Sequence, residues 1–580
     1  MSVAEAAATA EAQEAGGKIR PSSLRRIPVI GVVTQDEEAQ GAFKTMDLNR
    51  VISLLEKTDK DDLEEKQLKS VKKLVQCYQN GFVSFTYICM DLAQIFKILN
   101  LCAEKIENQP HFIESAFNIL KLCSLPFLKK KVSDEITYAE DAANSIALLG
   151  ELMKIPNSEL RIQICKCIVD FYHAEPPKKH ITGYQQASSS YKIKMAEVGG
   201  LAKTMVQSLG LLENQLVEKL WVLKALQHLS TSEVNCTLMM KAQAASGICA
   251  HLNDPDPSGQ LLFRSSEILW NLLEKSSKEE IIQQLSNLEC LLALKEVFKN
   301  LFMRGFSHYD RQLRNDILVI TTIIAQNPGA PMILLIDGKV ILALFTYVKK
   351  PEKHKIIEWS AAQYEELQLH AIATLSSVAP LLTEEYMLCQ GNARVLAFLE
   401  WCESEDPFFS HGNSFHGTGG RGNKFAQMRY SLRLLRAMVY LEDETINNDL
   451  CEKGTIQQLI GVFKNTISQS DDKEEVIVLE IQSDILLILS SLCEHHIPRK
   501  EMFGTEGVDI ILRVMKTDPT KLQSGLGYNV LLFSTLDSIW CCILGCYPSE
   551  DYFLEKEGIF LLLDLLAKDQ TAASLLIKLW

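Results

Sequence analysis

Few residue groups in this 580-residue chain have types and spacing that could do chemistry. Gly417–Gly422 reads GTGGRG and satisfies G-x-G-x-x-G, the glycine pattern that lets a backbone approach a pyrophosphate. Such a cradle needs a strand before it and a helix after it in a βαβ unit, and the flanking sequence offers no strand. Asn423 stands where a Walker A lysine would follow Gly422, which leaves Lys424 out of register. Ser414, in G-N-S-F-H, misses the G-x-S-x-G nucleophile elbow by one residue. His411, His416 and Asp406 share the same segment, but loop imidazoles without cysteine partners make a poor metal set. Cys541, Cys542 and Cys546 have no further cysteine or histidine group at ligand spacing and read as packing thiols, two of them at i and i+4 on one helical face. His173 and Glu175 form H-x-E, but the zinc deaminase pattern requires a later P-C-x-x-C and the chain contains no C-x-x-C. His495 and His496 stand at a helix end beside Pro498, where imidazoles can satisfy terminal carbonyls. No catalytic residue, cofactor or metal site is expected.

Recognition is the better prospect. Arg429, Arg433 and Arg436 fall at i, i+4 and i+7, one basic stripe on a helix whose apolar face carries Leu432, Leu435 and Val439. The stripe is the candidate partner-binding site, suited to an acidic partner; the alternative is a solvated face paired with Glu442 or Asp443.

The elements that position these residues follow from a repeat. An acidic or polar residue, a glycine and then an apolar helix of about ten residues return at Gly200, Gly247, Gly338, Gly391, Gly454, Gly507 and Gly558, in steps of 47, 91, 53, 63, 53 and 51 residues. The long step hides a unit without its glycine, and Leu288–Leu301 fills the gap. After Gly454 the apolar residues are Ile456, Leu459, Ile460 and Phe463; after Gly558 they are Ile559, Leu562, Leu563 and Leu566. Offsets of 0, 3, 4 and 7 define one helical face that a neighbour must bury. The glycines are expected to close the preceding helix in the left-handed conformation. Second helices follow at Leu216–Leu229, Ser265–Leu273, Leu367–Val378, Ala426–Tyr440, Val476–Leu492 and Val530–Leu544, and strand signatures are absent. Units that cannot bury their faces alone must stack, so the predicted fold is an all-α solenoid of the armadillo or HEAT type.

Length agrees, because 580 residues exceed one ordinary core and suit an array that grows in one dimension. The predicted organisation is a disordered tail over 1–44, an N-terminal helical module over 45–174, a proline- and serine-containing linker over 175–195, and the repeat array over 196–580 with a loop insertion at 403–424. A net charge of −14 argues against a phosphate-backbone binder and so against nucleic acid. The apolar stretch Leu526–Cys546 contains Asn529, Ser534, Asp537 and Ser538 and reads as a buried helix, with no membrane insertion expected. The Ala- and Glu-rich Met1–Gly17 does not resemble a secretory or mitochondrial leader, and a cytosolic or nuclear location is expected. Oligomeric state has no sequence signal here.

Three long segments, Glu175–Lys192, His251–Glu280 and Asp406–Ala437, resemble the family of cilia- and flagella-associated protein sixty-nine. The similarity covers nearly all of the chain after its N-terminal tail, rests on contiguous sequence and transfers no functional residue. It departs from the family pattern at Pro331–Ile336, a crowded junction where relatives carry further helical sequence. The resemblance implies a non-enzymatic, armadillo-like component of the axoneme in the cytoplasm of cilia and flagella. Its implied partners are other axonemal, central-pair proteins, and its implied roles are sperm flagellum assembly and stability and the tuning of odour-response kinetics in olfactory cilia. A competing function is a soluble adaptor that binds extended peptides in trafficking or transport, hinted at by Trp221-Val222 and Trp270-Asn271.

Overall fold

The computed structural model describes residues 48–568 except 59–62, 85–91, 125–127, 130–135, 137–138, 174–184, 187–189, 213, 304–309, 326–338, 351–358, 405–423, 470–474, 519–521 and 523–526. The disordered tail expected over 1–44 lies outside the described residues, as do most of the linker and the GTGGRG segment with Ser414, His411, His416 and Asp406.

The described helices belong to one compact unit. Three helix pairs come first: α1 (Leu48–Leu55) and α2 (Leu63–Ser84), α3 (Leu92–Ile106) and α4 (Phe112–Cys123), α5 (Ala139–Leu152) and α6 (Ser158–Asp170). Triplets follow: α7 (Tyr191–Val198), α8 (Leu201–Ser208) and α9 (Leu216–Leu229); α10 (Glu233–Lys241), α11 (Ala244–Cys249) and α12 (Gln260–Lys275); α13 (Lys278–Leu285), α14 (Leu288–Met303) and α15 (Asp310–Ala325). Next come the pair α16 (Val340–Tyr347) and α17 (Ala361–Val378), then α18 (Thr383–Leu388), α19 (Gly391–Glu403) and α20 (Lys424–Val439), and α21 (Glu444–Glu452), α22 (Thr455–Gln469) and α23 (Glu475–Cys493). The last are α24 (Ile497–Met515), broken at Gly504, α25 (Tyr528–Ser538), α26 (Tyr547–Glu555) and α27 (Gly558–Lys568).

The final helix of each unit packs on the final helix of the next. This produces an unbroken ladder, α2–α4–α6–α9–α12–α15–α17–α20–α23–α25. A second layer backs it, with α1, α3, α5 and α8 in succession, then α11, α14 and α16, then α22, α24 and α27. The architecture is the all-α armadillo solenoid that the repeat predicts. Helix starts obey local chemistry: Asn157 Oδ1 accepts from Leu160 N at 2.8 Å to cap α6, Asn287 Oδ1 accepts from Cys290 N at 2.8 Å to cap α14, and Ser360 with Gln363 closes a capping box on α17. The unit that lacks its marker glycine thus starts its helix from an asparagine cap.

Four expectations are corrected. A two-residue antiparallel ladder, β1 (Leu128–Lys129) with β2 (Gln185–Gln186), occurs where no strand was expected; two residues are too short for a period to register. α7 begins at Tyr191, inside the stretch read as linker, and α6 packs directly on α9 from the far side of that stretch. The helix carrying Cys542 passes through a π-turn and stops at Ile543, and Cys546 sits in extended conformation ahead of α26, so the two thiols do not share a helical face. On α27 the expected buried face is open, with Ile559 45% and Leu563 56% exposed and Leu562 half-buried, while α27 packs mainly on α24 and α26.

The marker glycines also divide by cause. Gly200 and Gly454 do take left-handed φ of 74° and 76°. At Gly391 and Gly558 the left-handed residue is the one before, Gln390 (φ 55°) and Glu557 (φ 60°). There the glycine instead removes a Cβ that would stand 2.4 Å from the Tyr386 ring or 2.5 Å from the Phe553 ring, and Gly507 does the same for Phe503 at 2.5 Å. An aromatic ring of the short first helix thereby rests on the backbone that opens the second. Gly391→Ala and Gly558→Ala are each expected to cost about 1–3 kcal/mol through overpacking, whereas Gly247→Ala, with nothing within 4 Å of the added carbon, should be near neutral. Urea titration read by hydrogen exchange at the flanking helices checks this, and a larger loss at Gly247 would overturn the ring explanation.

Candidate functional site

The arginine stripe lies where two ladder helices meet. α23 carries a matching acidic pair, Glu480 and Asp484, also one turn apart. Arg429 forms a close ion pair with Glu480, Arg433 Nη2 stands 3.6 Å from the same carboxylate, and Arg436 Nη1 donates to Asp484 Oδ1 at 2.6 Å. Arg433 and Arg436 also cover the rings of Tyr430 and Tyr440 at 5.7 and 5.4 Å. Asp484 is only 7% exposed; burial pushes its carboxyl above the usual range, and the Arg436 hydrogen bond pulls in the opposite direction. The stripe is therefore engaged first by the next unit of its own chain. Neither residue expected to pair with it does so: Asp443 caps α21 by accepting from Thr445 N at 2.8 Å, and Glu442 occupies the turn at φ 55°. Glu480 and Asp484 carry no local sequence signal of this role, because their pairing with the stripe arises only from the stacking of two units.

Similar cross-links recur along the ladder. Arg161 on α6 donates to Met153 O at 2.8 Å, Gln215 Oε1 at 2.9 Å and Glu218 Oε2 at 3.1 Å, a buried ion pair that joins α6 to α9. Asn271 donates to Ser230 Oγ at 2.9 Å, Thr322 to Thr374 Oγ1 at 2.9 Å, and Gln427 to Gln368 Oε1 at 2.8 Å. Ser483 and Ser490 on α23 meet Ser534 and Ser538 on α25, both at 2.9 Å. Each of these polar groups finds a partner in an adjacent unit, which offsets its burial in a low-dielectric interior. Asn271, the asparagine that suggested a peptide-binding ladder, is committed to one of these contacts.

The remaining sequence candidates sit as follows. His173 Nδ1 lies 3.0 Å from Val169 O, and its ring packs edge-on against His228 at 5.3 Å. His496 faces Glu444 Oε1 at 3.0 Å, whereas the helix-end carbonyl of Leu492 is satisfied by Arg499 Nη1 at 3.0 Å. Cys541 and Cys542 are buried, and burial pushes the Cys541 thiol up to about 12. Among the described residues, no three His, Cys, Asp or Glu side chains converge as a metal set. One described helix, Val476–Cys493, is long and apolar enough to cross a membrane; it is the ladder helix packed between α20 and α25.

The sequence model described as "Cilia- and flagella-associated protein 69, ARM repeat" matches residues 46–334 and again 333–578. The chain belongs to this family. Among its curated relatives, Cilia- and flagella-associated protein 69 of Homo sapiens is 76% identical over 666 residues, covering 99% of this chain and 70% of the relative. The Mus musculus protein is 70% identical over 671 residues, covering 100% of this chain and 71% of the relative. Both alignments are longer than 580 residues, so these family members carry internal segments without a counterpart here. The two family matches meet at residues 333–334, inside the crowded junction Pro331–Ile336. Among solved structures the chain is similar to Kap95p studied with RanGDP (TM-score 0.45, 14% identity, 92% of this chain and 56% of that one) and to SYS-1 (TM-score 0.45, 12% identity, 88% of each).

Two predictions follow from the geometry. Arg436→Asp sets two carboxylates together at a nearly buried site and is expected to destabilise the α20–α23 junction by about 2 kcal/mol, while adding Asp484→Arg restores most of the loss; a double-mutant cycle by chemical denaturation measures it, and equal losses in both variants would contradict the pairing. Asp316 on α15 is pushed up to about 7, by burial first and by nearby Glu267, against a 2.7 Å hydrogen bond from Gln312. Its folded-state value exceeds the unfolded one, so its contribution to stability is complete below about pH 4 and is lost as pH rises through about 7. Asp316→Asn should flatten the decline in melting temperature between about pH 4 and 7.

Proposed function

We propose that the protein is a non-enzymatic scaffold of the ciliary and flagellar axoneme, associated with the central pair, which holds other axonemal proteins along an extended helical surface. The observation that carries this reading is the unbroken ten-helix ladder with polar ties between consecutive units, in a family named for cilia and flagella. An array tied this way presents many modest contacts over a long surface and needs no single reactive residue. Arg433, the most exposed member of the arginine stripe, is the point on it where a partner carboxylate would join Glu480. Roles in sperm flagellum assembly and stability, and in setting odour-response kinetics in olfactory cilia, belong to the same reading and rest on the family resemblance alone.

Detergent extraction of isolated cilia tests it. The scaffold predicts that the protein stays with the axoneme and leaves only at high salt, and that Ile485→Arg, which buries a charge at a fully buried ladder position, abolishes retention. Complete release by detergent alone would favour the soluble peptide-binding adaptor.

A further inference from the structure

The cations of the arginine stripe are answered within the chain; a second set is not. On α6 and α9, Lys166 Nζ lies 5.1 Å and Lys224 Nζ 5.2 Å from the centre of the Trp221 ring. Lys166 is exposed, and Trp221 and Lys224 are half-buried. Among the described residues neither ammonium has an ion pair or a hydrogen bond. The acids nearby in sequence are spent elsewhere or apart: Glu218 pairs with Arg161, Glu267 accepts from Gln227 at 2.5 Å, and Asp170, one turn along α6, makes no pair with Lys166. Trp221, Lys224 and His228 fall at i, i+3 and i+7, so they share one face of α9. His228 stacks on Tyr172 at 5.3 Å, and its imidazole is held down at about 4, by burial first and then by His173, Lys224 and Arg264. A local positive field thus surrounds an aromatic face on a chain whose net charge is −14.

We propose that the surface formed by Lys166, Trp221 and Lys224 docks an extended, glutamate- or aspartate-rich segment of a partner protein. The segment's carboxylates pair with the two ammonium groups while its backbone lies on the indole. The charge pattern selects this occupant: two lysines on one indole would repel a basic peptide, and they are too few to bind a phosphate backbone by counterion release. The inference goes beyond the scaffold reading and does not depend on axonemal retention.

Fluorescence anisotropy on the full chain, with a labelled twelve-residue peptide of alternating glutamate and serine, tests it. The native chain is expected to bind the peptide with a salt-dependent affinity. Lys166→Glu with Lys224→Glu should weaken binding at least tenfold, Trp221→Ala should do likewise, and Lys166→Arg with Lys224→Arg should retain it. Lys556→Glu, an exposed lysine just after α26 with no part in the proposed surface, should leave it unchanged, and circular dichroism confirms that each variant is folded. The proposal is overturned if the native chain does not bind the peptide, if the double glutamate variant binds equally well, or if a single-stranded oligonucleotide of equal charge binds more tightly.

Discussion

Within the ladder, each helix from α2 to α23 depends on the helix one unit further on to bury its flank. Ile481, Ile485, Ile488 and Leu489 on α23 are fully buried, between a helix about 50 residues earlier and another about 50 residues later. Burial of one such side chain is worth about 1.5–3 kcal/mol, and in a one-dimensional array that gain exists only when the neighbour is in place. Stability therefore passes from unit to unit.

Apolar burial favours stacking but does not select a register, because a slid helix still buries Leu and Ile. The polar ties supply that selection. Arg161 with Glu218, Thr322 with Thr374, Gln427 with Gln368, and the two serine pairs between α23 and α25 are each satisfied only in one alignment. A slip would leave these groups buried without partners, at a cost of about 1–3 kcal/mol each. The arginine stripe and the Glu480–Asp484 pair add a charged version at the α20–α23 junction. The surface left over for partners is thus sorted by prior commitment: the stripe is largely answered from inside, while the lysines around Trp221 are not.

Helix positions, the repeat and the fold class were legible in the sequence because a 3.6-residue period and a cap are local properties. Leu216–Leu229 coincides with α9, and the second helices at 367–378 and 476–492 fall within α17 and α23. The glycine pattern was visible too, but its cause was only half readable. A left-handed turn can be anticipated from a glycine at a helix end, as at Gly454. The contact of Tyr386 with the Gly391 backbone depends on the angle between two helices, which no local pattern encodes.

The candidate site was legible in the same limited way. Spacing alone placed Arg429, Arg433 and Arg436 on one face, and the sequence by itself determined that the chain stacks helical units with that face on one of them. Only the tertiary structure decided what the face meets, because Asp484 lies 48 residues from Arg436 and reaches it through the superposition of two units. The same holds for Lys166 and Trp221, 55 residues apart and joined over one ring. Period and capping act within a few residues of chain, whereas the pairing of charges is fixed by which helix each unit is stacked upon.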